Sequence, residues 1–579
     1  MTNDLFAVTK WRDRASLPNI WDFAAVIFVF GVIVLAGFGS RGMSAPLTAP
    51  ETAALSLDYW ELPYYALRTT LRMFAAIVAS LLFTFTYATL AAKSRRAEMV
   101  LVPLLDVLQS VPILGFLSFT VTFFLALFPG STLGAECAAI FAIFTSQAWN
   151  MAFSFYQSLR SMPRDLEEVA AGFQLSAWQK FWQLETPFAM PGLIWNMMMS
   201  MSGGWFFVVA SEAISVGDVN VRLPGVGSYL ALAIDNKRVD CVIAAVVVVA
   251  VIILAYDQLL FRPIVAFSEK FRVELSASQN PAESWVRDLF LRTRWLRSVT
   301  ALPARLLRGA SLLRLELPFR AKRKGVENEK VALILDLVWY GVLIFATFVA
   351  LANIIAFVRT GVDGAEFRHV VVLTFYTLLR VVALIAIATL IWVPIGVWIG
   401  LRPRIAEKVQ PLAQFLAAFP ANVLFPIAVI GILRFNLNPD IWLSALIIFG
   451  TQWYIAFNVI AGAAAFPNDL REASQNFGIQ GFVWWKNVIL PAIFPYYITG
   501  ALTASGGSWN AAIVAEYVKW GDDTVSAHGV GAYIAKATAD GDYPKIVIGV
   551  AVMSVFVILF NRLFWRQLSA YAERRLRLL

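Results

Sequence analysis

The sequence predicts an all-α polytopic membrane protein with about twelve transmembrane helices in two parallel six-helix repeats. Three observations lead there. The first is composition. Of 579 residues, 59% are hydrophobic and 15% charged, and the mean hydropathy is +0.69, whereas soluble chains carry nearer a quarter charged residues. The second is a series of apolar runs of about 18 residues or more, long enough to cross a bilayer as helices. A helix is the economical way across, because it satisfies its own backbone polar groups. The third is a repeat. Pro163–Pro187 reads PRDLEEVAAGFQLSAWQKFWQLETP and Pro467–Pro491 reads PNDLREASQNFGIQGFVWWKNVILP. These polar islands align without a gap at a spacing of 304 residues, Pro163 on Pro467 and Glu168 on Glu472. The register runs on to Trp205 with Trp509, Glu212 with Glu516, and the Gly-Val-Gly at 225–227 with that at 529–531. A period this long marks a duplicated domain, since solenoid units are far shorter.

Taken in order, the predicted spans lie at roughly 19–39, 64–92, 100–128 and 134–156, then 187–214 and 241–261 after the first island. The second half repeats them at roughly 331–358, 369–400, 409–433 and 441–465, then 491–514 and 546–564 after the second island. Arg72, Pro103 and Pro112 match Arg380, Pro411 and Pro420 at a spacing of 308. The shift from 308 to 304 implies four extra residues in the first half, for which the loop around PGSTLGAEC is the natural place. An even number of spans per repeat makes the repeats parallel.

Loop charge predicts the orientation, because cytoplasmic loops are rich in Lys and Arg. One side collects Lys10, Arg12 and Arg14, then Lys93, Arg95 and Arg96, then Arg402, Arg404 and Lys408, and finally Arg574, Arg575 and Arg577. Both islands and both termini are expected on that side. The opposite loops, 41–63, 217–240 and 521–543, are poor in basic residues. The N-terminus has no short apolar core before a small-residue cleavage site, so no cleaved signal peptide is expected.

Residues 262–330 carry 15 Lys/Arg against 7 Asp/Glu, a net of +8 out of +9 for the whole chain. The basic balance is thus local and gives no reason to expect nucleic acid. Two readings of this segment stand: an amphipathic helix on the anionic inner leaflet, or a solvated tether between the halves. Cys137, Cys241, His369 and His528 are isolated, so neither a disulfide framework nor a metal site is expected. The dipeptide Gly-Lys does not occur, so the chain holds no phosphate-binding loop of its own.

Within the first island, Ser161 or Asp165 is a candidate helix cap, with Pro163 suited to the first turn. Leu166, Val169, Ala170 and Phe173 make one apolar face. A turn is expected around 172–176 and at Gly478, followed by a short aromatic-rich helix and a proline that restarts a membrane span. Arg72, Arg380, Glu212 and Glu516, near span ends, read as snorkelling residues or ion pairs within the bundle. Gating or binding-protein docking is the other reading for the glutamates. Small and polar residues flanking the space between the halves are candidates for a solute path: Gln109 and Ser110, Asn422, 202–205 and 505–510. Trp205, Trp509 and Asn510 lead this group.

The second island, EASQNFG followed by V-I-L-P, resembles the EAA loop of inner-membrane permeases of binding-protein-dependent ABC importers. Glu472, Ala473 and Gly478 fit that loop, as do Val488, Leu490 and Pro491. In the first island Glu168, Ala170, Leu184 and Pro187 fit, while Val169 stands for an Ala and Gln174 for the Gly. WFFVVASE (Trp205–Glu212) and WNAAIVAE (Trp509–Glu516), each with its later G-V-G, resemble the nitrate, sulfonate, taurine and bicarbonate branch. The resemblance covers about 200 residues per half.

It implies a type I ABC importer permease fold with two permease domains fused in tandem. The domains would be 1–62 (tail, first helix and external segment), 63–265 (first permease domain), 266–330 (basic linker) and 331–579 (second permease domain). It also implies coupling through Asp165, Glu168, Ala170 and Gly172 and through Asp469, Glu472, Ala473 and Gly478. The partners would be two copies of a cytoplasmic ATPase subunit, which use the ATP and Mg, an extracytoplasmic solute-binding protein, and the bilayer of a bacterial inner membrane. The solute would be a small anion such as a sulfonate, nitrate or bicarbonate. A twelve-helix facilitator driven by an ion gradient is the rival reading. The signature of that class lies in a Gly-rich turn where this chain reads AAKSRRAEM and GLRPRIAEK.

Overall fold

A computed structural model describes residues 20–40, 43, 55–109, 111–216, 219–268, 284–293, 305–306, 308–315 and 329–575. Among the described residues nine helices are long and apolar enough to cross a bilayer, or ten if one bent pair counts as a single span.

The first half runs α1 (Ile20–Ser40), α2 (Leu62–Lys93), α3 (Arg95–Leu108), α4 (Ile113–Leu127), α5 (Thr132–Arg160), the island helices α6 (Arg164–Gly172) and α7 (Ala177–Lys180), and α8 (Thr186–Glu212). A hairpin of β1 (Ala213–Val216) and β2 (Val219–Arg222) follows, then α9 (Val226–Asp235), α10 (Val239–Tyr256) and α11 (Arg262–Ser268). After α12 (Trp285–Arg292) in the linker, the second half repeats the order. It runs α13 (Glu329–Val358), α14 (Gly364–Gly400), α15 (Pro403–Ala418), α16 (Phe425–Arg434), α17 (Pro439–Ala464), α18 (Asn468–Asn476), α19 (Gly481–Trp484) and α20 (Leu490–Ala515). The hairpin of β3 (Tyr517–Trp520) and β4 (Asp523–Ser526) follows, then α21 (Val530–Asp540), α22 (Tyr543–Phe560) and α23 (Arg566–Arg575).

The expected continuous spans at 100–128 and 409–433 are each broken. α3 ends before Pro112 and α4 starts after it; α15 and α16 meet at 76° after Pro420. A proline has no N–H to give and drives the preceding residue out of the helical region. The remaining difference from twelve is α5, 29 residues long, whose Glu136, Thr145, Gln147 and Asn150 make it less apolar than a lipid-facing span.

The duplication extends to backbone irregularities. Among the described residues four five-residue π-helical segments occur, Phe181–Glu185, Asp257–Phe261, Trp485–Ile489 and Asn561–Trp565, in two pairs offset by 304. Pro187 and Pro491 follow the island pair, where a missing N–H favours a wider turn.

The described residues divide into two compact units: one within 1–38, 162–194 and 256–320, the other within 39–161, 195–255 and 321–579. In the smaller unit Phe28 of α1 meets Phe290 of α12 edge-on at 6.4 Å, and Arg292 lies 5.2 Å over the Trp21 ring. The core of the larger unit is shared by both halves. Ile113, Leu114 and Phe207 pack in one cluster with Val459, Ile493 and Trp509.

Candidate functional site

The islands share a first helix and its closing turn in two sequences, and part at Gly481, which takes φ +59° where Ala177 does not. α6 ends with Leu175 N–H donating to Ala170 O (3.1 Å) and Gln174 N–H to Ala171 O (3.0 Å); α18 ends with Ile479 to Ser474 (2.9 Å) and Gly478 to Gln475 (3.0 Å). Both are Schellman ends, which need a left-handed residue. Gly478 takes φ +63° without strain, and Gln174, its counterpart, takes φ +51° all the same. Neither Ser161 nor Asp165 caps the first island helix. The N-cap is Pro163, which has no side-chain donor or acceptor, and Pro467 does the same in the second island. The short following helix is capped only in the first island, by Ser176 and Gln179 in a capping box.

Asp165, Glu168 and Gly172 are exposed, as are Asp469, Glu472 and Gly478; Ala170 is buried and Ala473 half-buried. Exposed apolar side chains accompany them, Val169 and Phe173 in the first island and Phe477, Phe482 and Val483 in the second.

At the hairpin end of each half a glutamate is buried in a nest that explains the W-x6-E and G-V-G spacing. Glu212 accepts from Thr69 Oγ1 (2.7 Å), from Gly227 N–H (2.7 Å) and from Arg72 Nη1 (2.7 Å). Glu516 accepts from Thr377 Oγ1 (3.0 Å), from Gly531 N–H (2.8 Å) and from Arg380 Nη1. The threonines in turn accept from Val226 N–H and Val530 N–H, at 3.0 Å each. A Cβ on Gly225 would lie 2.3 Å from the Glu212 carboxyl carbon, and one on Gly529 2.2 Å from Glu516 Oε2. Only glycine leaves room for the carboxylate there. Arg72 with Glu212 and Arg380 with Glu516 are thus ion pairs within the bundle.

Two members of these nests escape a reading by composition. Glu136 binds Arg72 Nε at 2.6 Å and Arg68 Nη2 at 2.6 Å; its partner by register, Asp440, lies 3.5 Å from Arg380 Nη2. The signal was present, since 136 and 440 differ by the same 304. Arg68 left no such signal, because its counterpart is Tyr376.

The hairpins cross between halves. β1 lies against α21 and β3 against α9. Gly521 N–H donates to Ile234 O at 3.1 Å, and Lys237 Nζ meets Asp523 Oδ2 at 3.1 Å.

Deeper in the larger unit, the halves enclose a cavity of about 400 Å³. Gln109, Asn150, Asn196 and Ser202 from the first half and Asn458, Thr503, Ser505 and Asn510 from the second give it amides and hydroxyls. Trp149, Trp195, Phe419 and Trp509 give it aromatic walls, and its described lining holds no acidic or basic side chain. Of the sequence candidates, Gln109, 202–203, 505–507, Trp509 and Asn510 line it, and Trp205 is buried without lining it. Asn422 is buried beside Pro420 and Ala421, which do line it. Ser110 lies outside the described residues.

Asn510 and Asn422 fasten the halves crosswise. Asn510 Oδ1 accepts from Ile113 N–H at 2.8 Å, capping the start of α4, and Asn422 Nδ2 donates to Phe206 O at 3.1 Å. Phe206 is the counterpart of Asn510 by register.

The model of a family described as binding-protein-dependent transport system inner membrane component matches residues 84–261 and again 392–577, together well over half of the chain. Among relatives, the bicarbonate transport system permease protein CmpB of Synechococcus elongatus is 29% identical over 205 residues, 35% of this chain and 69% of that protein. The nitrate import permease protein NrtB of Synechocystis sp. is 25% identical over 216 residues, 37% of this chain and 74% of that one. A probable ABC transporter permease protein of Brucella abortus is 22% identical over 203 residues, 34% and 77% of the two chains.

Proposed function

The chain belongs to the family of binding-protein-dependent transport system inner membrane components, and from that premise we propose that it is the complete membrane pathway of an ATP-driven importer. Two fused halves do the work of two permease subunits, and the solute is a small anion. The names of the bicarbonate and nitrate relatives support that solute class. The chain contributes no ATPase site. Two copies of a cytoplasmic ATPase subunit bind ATP and Mg, and an extracytoplasmic solute-binding protein delivers the solute at the hairpin end. Both islands and both termini face the cytoplasm of a bacterial cell.

The observation that carries this reading is the pair of islands. Two sequences that differ at most positions share a first helix and the turn that ends it, down to a left-handed residue at the same register. An interfacial anchor needs only apolar side chains; a docking helix needs a fixed shape. Glu168 and Glu472, exposed on α6 and α18, meet the ATPase subunits. Nucleotide-driven closure of those subunits brings the islands together and moves the halves about the cavity between inward-open and outward-open states. The solute passes amides, hydroxyls and indoles and meets no fixed cation, so the cavity passes an anion without trapping it. Selection of the solute then falls to the binding protein.

The test is co-purification of tagged protein from its native membrane, with ATPase activity assayed on the complex, beside the double variant Glu168→Ala, Glu472→Ala. Wild type is expected to bring an ATPase subunit whose activity the double variant loses or uncouples. Protein that comes out alone and moves solute in proteoliposomes under a proton or sodium gradient would overturn the reading.

A further inference from the structure

The first island makes a contact for which the second lacks two of the three side-chain donors. Linker residues 308–311 form one helical turn, and the last carbonyls of a helix lack partners within it. The island supplies the donors. Trp178 Nε1 donates to Ala310 O at 2.7 Å, Gln179 Nε2 to Leu312 O at 2.8 Å, and Gln183 Nε2 to Ser311 O at 3.5 Å. In return the backbone N–H of Trp178, in the first turn of α7, donates to Leu315 O at 3.4 Å. Each helix end caps the other. Gln179 uses both ends of its amide, because its Oε1 also accepts from Ser176 N–H at 3.0 Å. Gln179 is 8% exposed.

The positions 304 residues on are Phe482, Val483 and Asn487. A phenyl ring and an isopropyl group have no N–H to offer. Phe482 stands 79% exposed and Val483 54%, with Phe477 also open beside the preceding turn. One face is thus covered in the first island and bare and apolar in the second. Neighbouring exposed aromatics of this kind mark a protein-binding surface.

We propose that linker segment 308–315 is a built-in ligand of the first island, seated on the face that the second island leaves open for an ATPase subunit. This rests on the coupling-loop reading above. An ATPase subunit at the second island meets Phe477, Phe482 and Val483 directly. A subunit at the first island meets Val169 and Phe173 and displaces the linker to reach the rest. The two ATPase sites are therefore unequal, and the basic linker does more than tether the halves.

The test compares wild type with the triple variant Trp178→Phe, Gln179→Val, Gln183→Asn, which gives the first island the side chains of the second. Brief trypsin treatment, read by mass spectrometry at Arg308 and Arg314, reports whether the linker is seated. Loss of three hydrogen bonds, each part-exposed, is expected to speed cleavage there about tenfold in the triple variant. Adding the ATPase subunit co-purified with wild type is expected to speed the same cleavages in wild type. A second variant, with 309–315 replaced by Gly and Ser, leaves the island intact and is expected to match the triple variant in binding more ATPase at limiting concentration. Unchanged cleavage in the triple variant, or an ATPase that protects Arg308 and Arg314, would overturn the proposal while leaving the coupling loops in place. If wild type captures no ATPase subunit, the reading beneath fails and the competition with it, while the trypsin comparison still decides whether the linker is seated.

Discussion

The two buried glutamates sit in matching nests, yet their surroundings differ. Around Glu212 the first half closes two arginines and two glutamates, Arg68, Arg72, Glu136 and Glu212, each at most 1% exposed. Around Glu516 the second half keeps the Thr–Arg–Glu core and opens the rim. The Arg380 side chain is 11% exposed, that of Asp440 is 40% exposed and paired with His528, and Tyr376 stands where Arg68 would. The backbone and the glycine pair fix where the carboxylate goes; the rim residues decide whether the cluster is sealed or wet. A sealed pair is costly to break from one side, since the remaining charge has no water to turn to.

Four sets of variants break or sharpen that comparison, each read by thermal melting in detergent. Arg72→Ala takes the cation from buried Glu212 and leaves Glu136 with Arg68, and is expected to cost ~3–5 kcal/mol or abolish folded yield. Arg380→Ala, beside a wetter rim, is expected to cost clearly less; equal losses would mean the two rims are equally dry. Gly225→Ala and Gly529→Ala each drive a methyl into a buried carboxylate and are expected to cost about 1–3 kcal/mol. The costs should match between halves, because the nests match even where the rims do not. Asn510→Ala leaves the Ile113 N–H without its cap and is expected to cost about 1 kcal/mol. Asn422→Ala should cost less, since its Oδ1 has no hydrogen-bond partner and is removed with the side chain. Smallest of all, Gln174→Gly relieves a left-handed glutamine and is expected to gain roughly 0.5–1 kcal/mol, while Gly478→Ala should lose a similar amount. Opposite signs at one register would establish that both islands need the same turn.

Much of this was legible before any coordinates, and the reason is the repeat. Glu212 and Glu516, with the glycines that follow them, mark the nests because they recur at a fixed offset, and Gly478 marks the turn of the second island; Pro112 and Pro420 recur as well, but the spans across them were expected to be continuous. Reading runs of hydropathy alone hid Glu136 inside an apparent span and merged α3 with α4. The cavity lining was only partly legible, since it depends on the rotational phase of six or more helices, which a run of apolar residues does not specify. The expected caps at Ser161 or Asp165 failed because Pro163 and Pro467 already set the entry geometry. The linker contact left no trace in the linker's own sequence, because every linker group in it is a backbone carbonyl.

The crosswise asparagines carry a last consequence. When two copies of one gene product pair, any change in a contact is inherited on both sides at once, and the pair stays its own mirror. Here Asn422 reaches for Phe206 while Asn510 reaches for Ile113, and each of these four residues is written once. A single codon change can then loosen one seam and leave the other tight. Joining the halves in one reading frame frees them to age differently.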